Sequence, residues 1–240
     1  MRQPVKLFCV PYSGGSATLY LRWKEFLNDS VELHPLELRG RGKRFIEPLY
    51  ESMSEAVSDL YENIKPHLNG SPYVLFGHSL GGILVYELAQ LIRQKGDNMP
   101  LMLIPSGRRP PSQLSGKKRH LLSDEEFKQE LFSMGGTPKE ILEHAELLEL
   151  FLPILRADFK LADTYVHDKS QPKLDTDVVV LNGTEDDLVN AELLPEWSEY
   201  ALGKMSIHHF EGGHFFLHDH AESICQLIQQ LVADKQGVIR

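Results

Sequence analysis

The sequence predicts an α/β fold: a mostly parallel, doubly wound sheet with a helical insertion between its fourth and fifth strands. Three observations carry that reading. Short apolar runs of strand type alternate with helical patterns through most of the chain. The runs end on proline, glycine or polar residues, as strands that feed turns do. From about Pro110 to Asp168 the strand rhythm stops and only helical patterns remain, which marks an inserted cap on one domain spanning 1–240. There is no internal repeat, low-complexity segment or flexible linker.

In chain order, Val5 to Val10 reads as the first strand, ending at Pro11-Tyr12-Ser13-Gly14-Gly15. Leu19, Trp23, Phe26 and Leu27 follow at helical spacing. Val31 to Leu38 reads as the second strand, closed by the basic loop Arg39-Gly40-Arg41-Gly42-Lys43-Arg44. Ser54 opens a helix with an apolar face of Val57, Leu60, Tyr61 and Ile64, ended by Pro66 and Gly70. Tyr73 to Phe76 is the third strand and Gly82 to Lys95 its helix, with Gly96 just past the end. Leu101 to Ile104 is the fourth strand. Within the insertion, Ser123-Asp124-Glu125-Glu126 is a capping box, and Gly135-Gly136-Thr137-Pro138 and Pro153 separate the helical patterns. Pro138 falls in the first turn of a helix anchored by Ile141, Leu142, Leu147, Leu148, Leu150 and Phe151. Val178 to Leu181 and Met205 to Phe210 are the last strands, and Ala221 to Ala233 is a final amphipathic helix.

Composition excludes several classes. Hydrophobic content of 42% and charged content of 25% are those of a globular protein. A formal charge of −9 argues against nucleic acid or an anionic membrane as partner. There is no signal-peptide pattern and no apolar run of membrane-spanning length, so a cytoplasmic protein is expected. Cys9 and Cys225 are too few and too far apart for a disulfide framework.

The chemistry gathers at Gly77-His78-Ser79-Leu80-Gly81, a G-x-S-x-G between a strand and a helix. That setting is a nucleophile elbow: the serine sits on a strained turn with its hydroxyl exposed, and glycines make room around it. Chance alone supplies the pattern in roughly one chain in ten of this length, so partners are needed. Open α/β sheets place their sites beyond the carboxyl ends of the strands. Ser79, Asp186 and His214 each follow a strand there, in the order serine, acid, histidine. Asp187 is the alternative acid, with Asp186 favoured by its spacing from Gly183. A serine hydroxyl needs an imidazole to accept its proton, and the imidazole needs a carboxylate to hold its tautomer. Donors to the oxyanion should be the Leu80 N–H and an N–H of the loop after the first strand, Ser13 by position with Tyr12 second. His78 should point away from the nucleophile, and His208 and His209 read as packing or edge residues. His214, His218, Asp219 and His220 form a weaker metal alternative that lacks a recognised ligand spacing.

At this point the chain resembles the type II thioesterases, the stand-alone editing hydrolases of nonribosomal peptide and polyketide synthesis, within the α/β-hydrolase superfamily. The resemblance covers essentially the whole length. It rests on Pro11–Gly15, Leu36–Gly42, Phe76–Gly82, Gly135–Pro138, Phe151–Phe159 and Gly212–Phe216; the segment through Arg156-Ala157-Asp158-Phe159 is the most specific. Arg39 departs from the pattern, where a proline is expected before Gly-Arg-Gly. The resemblance implies a nucleophile at Ser79, an acid at Asp186 and a base at His214. It implies hydrolysis of acyl thioesters carried on the 4′-phosphopantetheine arm of acyl or peptidyl carrier protein domains, or of small acyl thioesters. No cofactor or metal of the protein's own is implied, and a monomer is expected. Carrier proteins are commonly acidic, which makes Arg39–Arg44 a candidate contact. Competing readings are a carboxylesterase or lipase of the same fold, a malonyl-type acyltransferase, and a non-catalytic binding protein on this scaffold.

Overall fold

Val5–Val10 (β1) alternates its side chains between two cores, as the two-residue strand period requires. Val5, Leu7 and Cys9 enter one apolar cluster. Phe8 and Val10 enter the other. Tyr73–His78 (β3) does the same, sending Val74 and Phe76 one way and Tyr73 and Leu75 the other. A strand buried on both faces belongs in the middle of a covered parallel sheet. The computed structural model, which describes residues 3–68, 70–113, 116–135 and 144–238, has β1 and β3 there.

Among the described residues the sheet has six strands in the order β2-β1-β3-β4-β5-β6, with every pairing parallel. The others are Val31–Pro35 (β2), Met102–Ser106 (β4), Asp177–Gly183 (β5) and Met205–Phe210 (β6). Met53–Ile64 (α1) and Leu80–Lys95 (α2) cover one face. Ala221–Val238 (α5) covers the other, with the 3₁₀ segment Ala17–Glu25. Between β4 and β5 the chain forms Asp124–Met134 (α3) and Ala145–Thr164 (α4). These share a small cluster of their own: Phe127, Leu131, Leu155 and Phe159. Burying side chains of this size stabilises by roughly 1.5–3 kcal/mol each, enough for four to hold two helices as a unit.

Several boundaries differ from the sequence expectation for local reasons. β2 ends at Pro35 on the open edge of the sheet, where a missing N–H costs no pairing, and one more bond to β1 follows, from the Leu36 N–H to the Cys9 carbonyl at 2.9 Å. α1 is capped by Ser52, whose hydroxyl accepts from the Glu55 N–H at 3.2 Å, so Ser54 lies inside the helix. Pro153 does not divide two helices; α4 runs through it, its flanks held by buried Leu148, Ile154 and Leu155. The Ser123 capping box is present, with Glu126 returning to the Ser123 N–H at 3.0 Å. Gly136-Thr137-Pro138, Ile141 and Leu142 lie outside the described residues. Cys9 and Cys225 are both free and buried.

Candidate active site

β3 turns into α2 at Ser79 with φ 53° and ψ −110°; among the described residues it is the only non-glycine with positive φ. Such a backbone costs of order 1–3 kcal/mol and has to be held by its surroundings. The Ser79 N–H donates to the Ser106 carbonyl at the end of β4 (2.8 Å), and its carbonyl accepts from Gly82 (3.0 Å). Tight packing explains the glycines: a Cβ on Gly77 would run into the Gly81 carbonyl, and one on Gly81 into the Val10 carbonyl. The turn therefore lifts the serine above the sheet at the start of α2.

The acid and the histidine meet because two strand ends are stitched together. Past β5 and β6, the Thr184 N–H donates to the Phe210 carbonyl (2.8 Å) and the Glu185 N–H to the Gly212 carbonyl (2.9 Å). This lays the Asp186 loop alongside His214. His214 Nδ1 lies 2.8 Å from Asp186 Oδ2. Asp186 Oδ1 accepts from the Leu188 N–H at 2.9 Å. Both side chains are buried, whereas Asp187 is exposed, so the structure pairs the histidine with Asp186. With Nδ1 donating to the carboxylate, the other ring nitrogen is free to accept a proton.

His78 is a near neighbour with a different fate. Its ring lies 5.0 Å from that of His214, yet it is fully buried behind the elbow with Nδ1 2.9 Å from Ser106 Oγ. Burial, reinforced by His214 and His218, pushes its pKa well below the usual histidine value, so it stays neutral.

Ser79 and His214 line one open cleft beneath the α3–α4 cap. Leu131, Leu155 and Phe159 provide an apolar roof; Tyr12, Ser13 and Leu80 form the floor beside the serine. Leu80 begins α2, so its N–H has no acceptor within the helix. In the loop after β1 the Gly14 N–H is committed to Asp158 Oδ2 (2.7 Å) and the Gly15 N–H to the Tyr12 carbonyl (2.9 Å). Tyr12 and Ser13 are left as that loop's donors toward the cleft.

The basic loop after β2 is not the open patch its sequence suggests. Arg41 is buried and forms a bidentate pair with Asp158 on α4, at 2.6 and 2.8 Å. Arg39 is bound to Glu55 and Asp59 of α1 (2.8 and 3.1 Å). Arg44 is bound to Glu47 and Asp59, both at 2.6 Å. Three of the four cations thus have internal counterions, and only Lys43 is exposed. The expectation of a basic docking surface at Arg39–Arg44 is corrected accordingly. The residues of the metal alternative also separate. His218 Nε2 meets the Tyr12 hydroxyl (3.2 Å) and His220 Nε2 donates to the Glu211 carbonyl (2.9 Å). No group of three or more His, Cys, Asp or Glu among the described residues could hold a metal ion. No described helix is long and apolar enough to cross a membrane.

Residues 5–232 match the family model described as a thioesterase domain. The chain belongs to the thioesterase family. This thioesterase is 34% identical over 236 residues to gramicidin S biosynthesis protein GrsT of Aneurinibacillus migulanus, covering 96% of this chain and 91% of that protein. It is 36% identical over 233 residues to thioesterase PikA5 of Streptomyces venezuelae, covering 97% and 83%. Among solved structures, ClbQ from the colibactin NRPS/PKS pathway superimposes with a TM-score of 0.93 at 37% identity, covering 98% of this chain and 99% of ClbQ. The type II thioesterase BorB from the borrelidin biosynthetic cluster gives 0.86 at 31% identity, covering 97% and 94%. The α/β-hydrolase fold and the thioesterase kinship expected from the sequence both hold, and the chain is an acyl-thioester hydrolase.

Sequence reasoning missed the cleft's cations. Arg108, Arg109 and Arg119 all line it. The first two directly follow β4, so the strand-end rule that singled out Ser79, Asp186 and His214 applies to them equally.

Proposed function

We propose that this thioesterase releases acyl groups from the 4′-phosphopantetheine arm of carrier protein domains in nonribosomal peptide or polyketide synthesis, clearing misprimed or stalled chains. The observation that carries the mechanism is His214 Nδ1 at 2.8 Å from Asp186 Oδ2, at the edge of the cleft that Ser79 lines from its strained turn. Kinship with GrsT and PikA5, and the likeness to ClbQ and BorB, support the substrate class.

In this reading Ser79 Oγ attacks the thioester carbonyl while His214 Nε2 takes its proton, and Asp186 holds the resulting imidazolium. The oxyanion is met by the Leu80 N–H and by the Ser13 N–H, with Tyr12 as the other loop donor. His214 returns the proton to the leaving sulfur, so the pantetheine thiol departs and an acyl-serine remains. Water, deprotonated by the same histidine, then attacks the acyl-serine to give the free acid and restore Ser79. The apolar roof of Leu131, Leu155 and Phe159 shelters the acyl chain and keeps bulk water from the intermediate.

The test is a panel of acyl-loaded carrier proteins, with matched oxygen esters, given to wild type and to Ser79→Ala. Thioester hydrolysis should fall by on the order of 10³-fold or more in the variant, together with loss of labelling by a fluorophosphonate. Full activity in Ser79→Ala would end the mechanism, and a preference for oxygen esters would end the substrate assignment.

A further inference from the structure

His78 lies outside the lining of the cleft and is fully buried, yet three segments of the site converge on its ring. The first is the end of β4. Nδ1 of His78 lies 2.9 Å from Ser106 Oγ, and the Ser106 carbonyl accepts the Ser79 N–H at 2.8 Å. The strained turn at Ser79 is therefore held by Ser106, and Ser106 by His78, its direct partner across β3 and β4. The second is the segment of the base: the His214 ring lies 5.0 Å away, Phe216 5.7 Å and Phe215 6.0 Å. The third is the loop after β1, whose Tyr12 ring stands 5.8 Å away and nearly perpendicular, at 82°. Gly107, with φ 55°, lets the two imidazoles approach. A Cβ there would sit 2.6 Å from His78 Cε1 and 3.2 Å from His214 Cε1.

Packing alone does not account for an imidazole at this position. A phenylalanine would meet the same rings without burying two nitrogens, and polar atoms buried without partners are costly. Ser106 answers Nδ1, but Nε2 closes no hydrogen bond, although the His214 backbone lies near enough to act on the ring. What the imidazole offers and a phenyl ring does not is the tie to Ser106. Small displacements of reacting groups are expensive in rate, so whatever fixes both the nucleophile's turn and the seat of the base acts on the chemistry from outside the cleft.

We infer that His78 is a positioning residue of the reaction: its Nδ1 fixes Ser106, and through Ser106 the turn of Ser79, while its ring seats His214. This rests on the serine mechanism proposed above and adds to it a residue that touches no substrate and moves no proton. The ring stays neutral, so no like charge stands beside His214 when that residue takes the Ser79 proton.

The experiment compares wild type, His78→Phe, Ser106→Ala and the double variant. It reads kcat and KM on butanoyl-N-acetylcysteamine, and the rate constant for labelling by a fluorophosphonate, which does not depend on how much of a sample is folded. In His78→Phe, kcat and the labelling rate should fall by on the order of 10- to 100-fold while KM stays within about threefold, because the walls of the cleft are untouched. Ser106→Ala should lose part of the same rate. The double variant should be no slower than His78→Phe, since the tie is already gone. His78→Asn, which returns a polar group near the place of Nδ1, should recover some of the rate when Ser106 is present and none when it is alanine. Wild-type rates in His78→Phe would overturn the inference, as would losses that simply multiply in the double variant, or a change confined to KM. Should His78→Phe fail to fold, Ser106→Ala decides: a wild-type kcat and labelling rate there would overturn it. Activity surviving in Ser79→Ala would bring down the serine mechanism itself; an inactive Ser79→Ala beside an unimpaired His78→Phe would remove this inference alone.

Discussion

Ser79 and Asp186 illustrate what a single residue can disclose. Both follow strand ends, and the spacing of Asp186 from Gly183 distinguishes it from Asp187. The 2.8 Å contact with His214 makes a sharp expectation for Asp186→Asn. The amide would donate where the carboxylate accepts, reversing the tautomer and leaving Nε2 unable to take the Ser79 proton. Turnover should drop on the order of 10³- to 10⁴-fold with little change in Tm, checked by steady-state kinetics on an acyl-cysteamine thioester. The oxyanion donors were less legible, because the direction of a backbone N–H is not written in residue type. What narrows the loop to Tyr12 and Ser13 is that the Gly14 and Gly15 N–H groups are engaged elsewhere, Gly14's by Asp158, 144 positions away. The place of Arg108 in the cleft is illegible in the sequence for a related reason. A charged side chain in a loop is usually solvated, and its burial depends on the fold of α2 and the cap around it.

At the level of elements, strands and helices of the sheet were readable because their periods of two and 3.6 residues are imposed by burial on both faces. The cap was readable as helical but not in its divisions: Pro153 lies inside α4, because apolar contacts on either side outweigh one lost backbone hydrogen bond. The basic loop reads as an open patch because most of its counterions come from α1 and α4, whose proximity no local pattern records. The ion pair between Arg41 and Asp158 carries the clearest prediction at this scale. Asp158→Ala leaves Arg41 buried without its partner and should cost roughly 3–5 kcal/mol in urea unfolding. Pairing Arg41→Met with Asp158→Leu should recover most of that stability. Turnover should remain low in the pair, because the Gly14 N–H has still lost its acceptor.

For the whole molecule, protonation of desolvated histidines, above all the buried His78, sets the acid limit. Burial holds His34, His78, His167, His208 and His218 below the usual histidine value. In each case the unfolded chain binds a proton that the folded one resists. The associated stability is therefore present above the unfolded pKa of roughly 6.5 and is lost as pH falls below it. Carboxylates held low by hydrogen bonds, such as Asp59 and Glu130, lose their contribution only at lower pH, below roughly 4.5. Tm should decline in two stages on acidification, and His78→Asn should flatten the first; a single stage beginning below roughly pH 4.5 would contradict this assignment. Asp158 has a different consequence for the molecule as a whole. One carboxylate on α4 grips both the loop under Ser13 and the loop after β2, so the roof of the cleft and its floor are fastened to each other. An acyl group that fits without displacing α4 meets an undisturbed floor. A bulkier one that lifts the roof drags Gly14 with it and spoils the donor geometry next door. Acyl groups bulky enough to displace α4 should therefore lose kcat more than they raise KM, measured on a series of increasingly branched acyl-cysteamine thioesters.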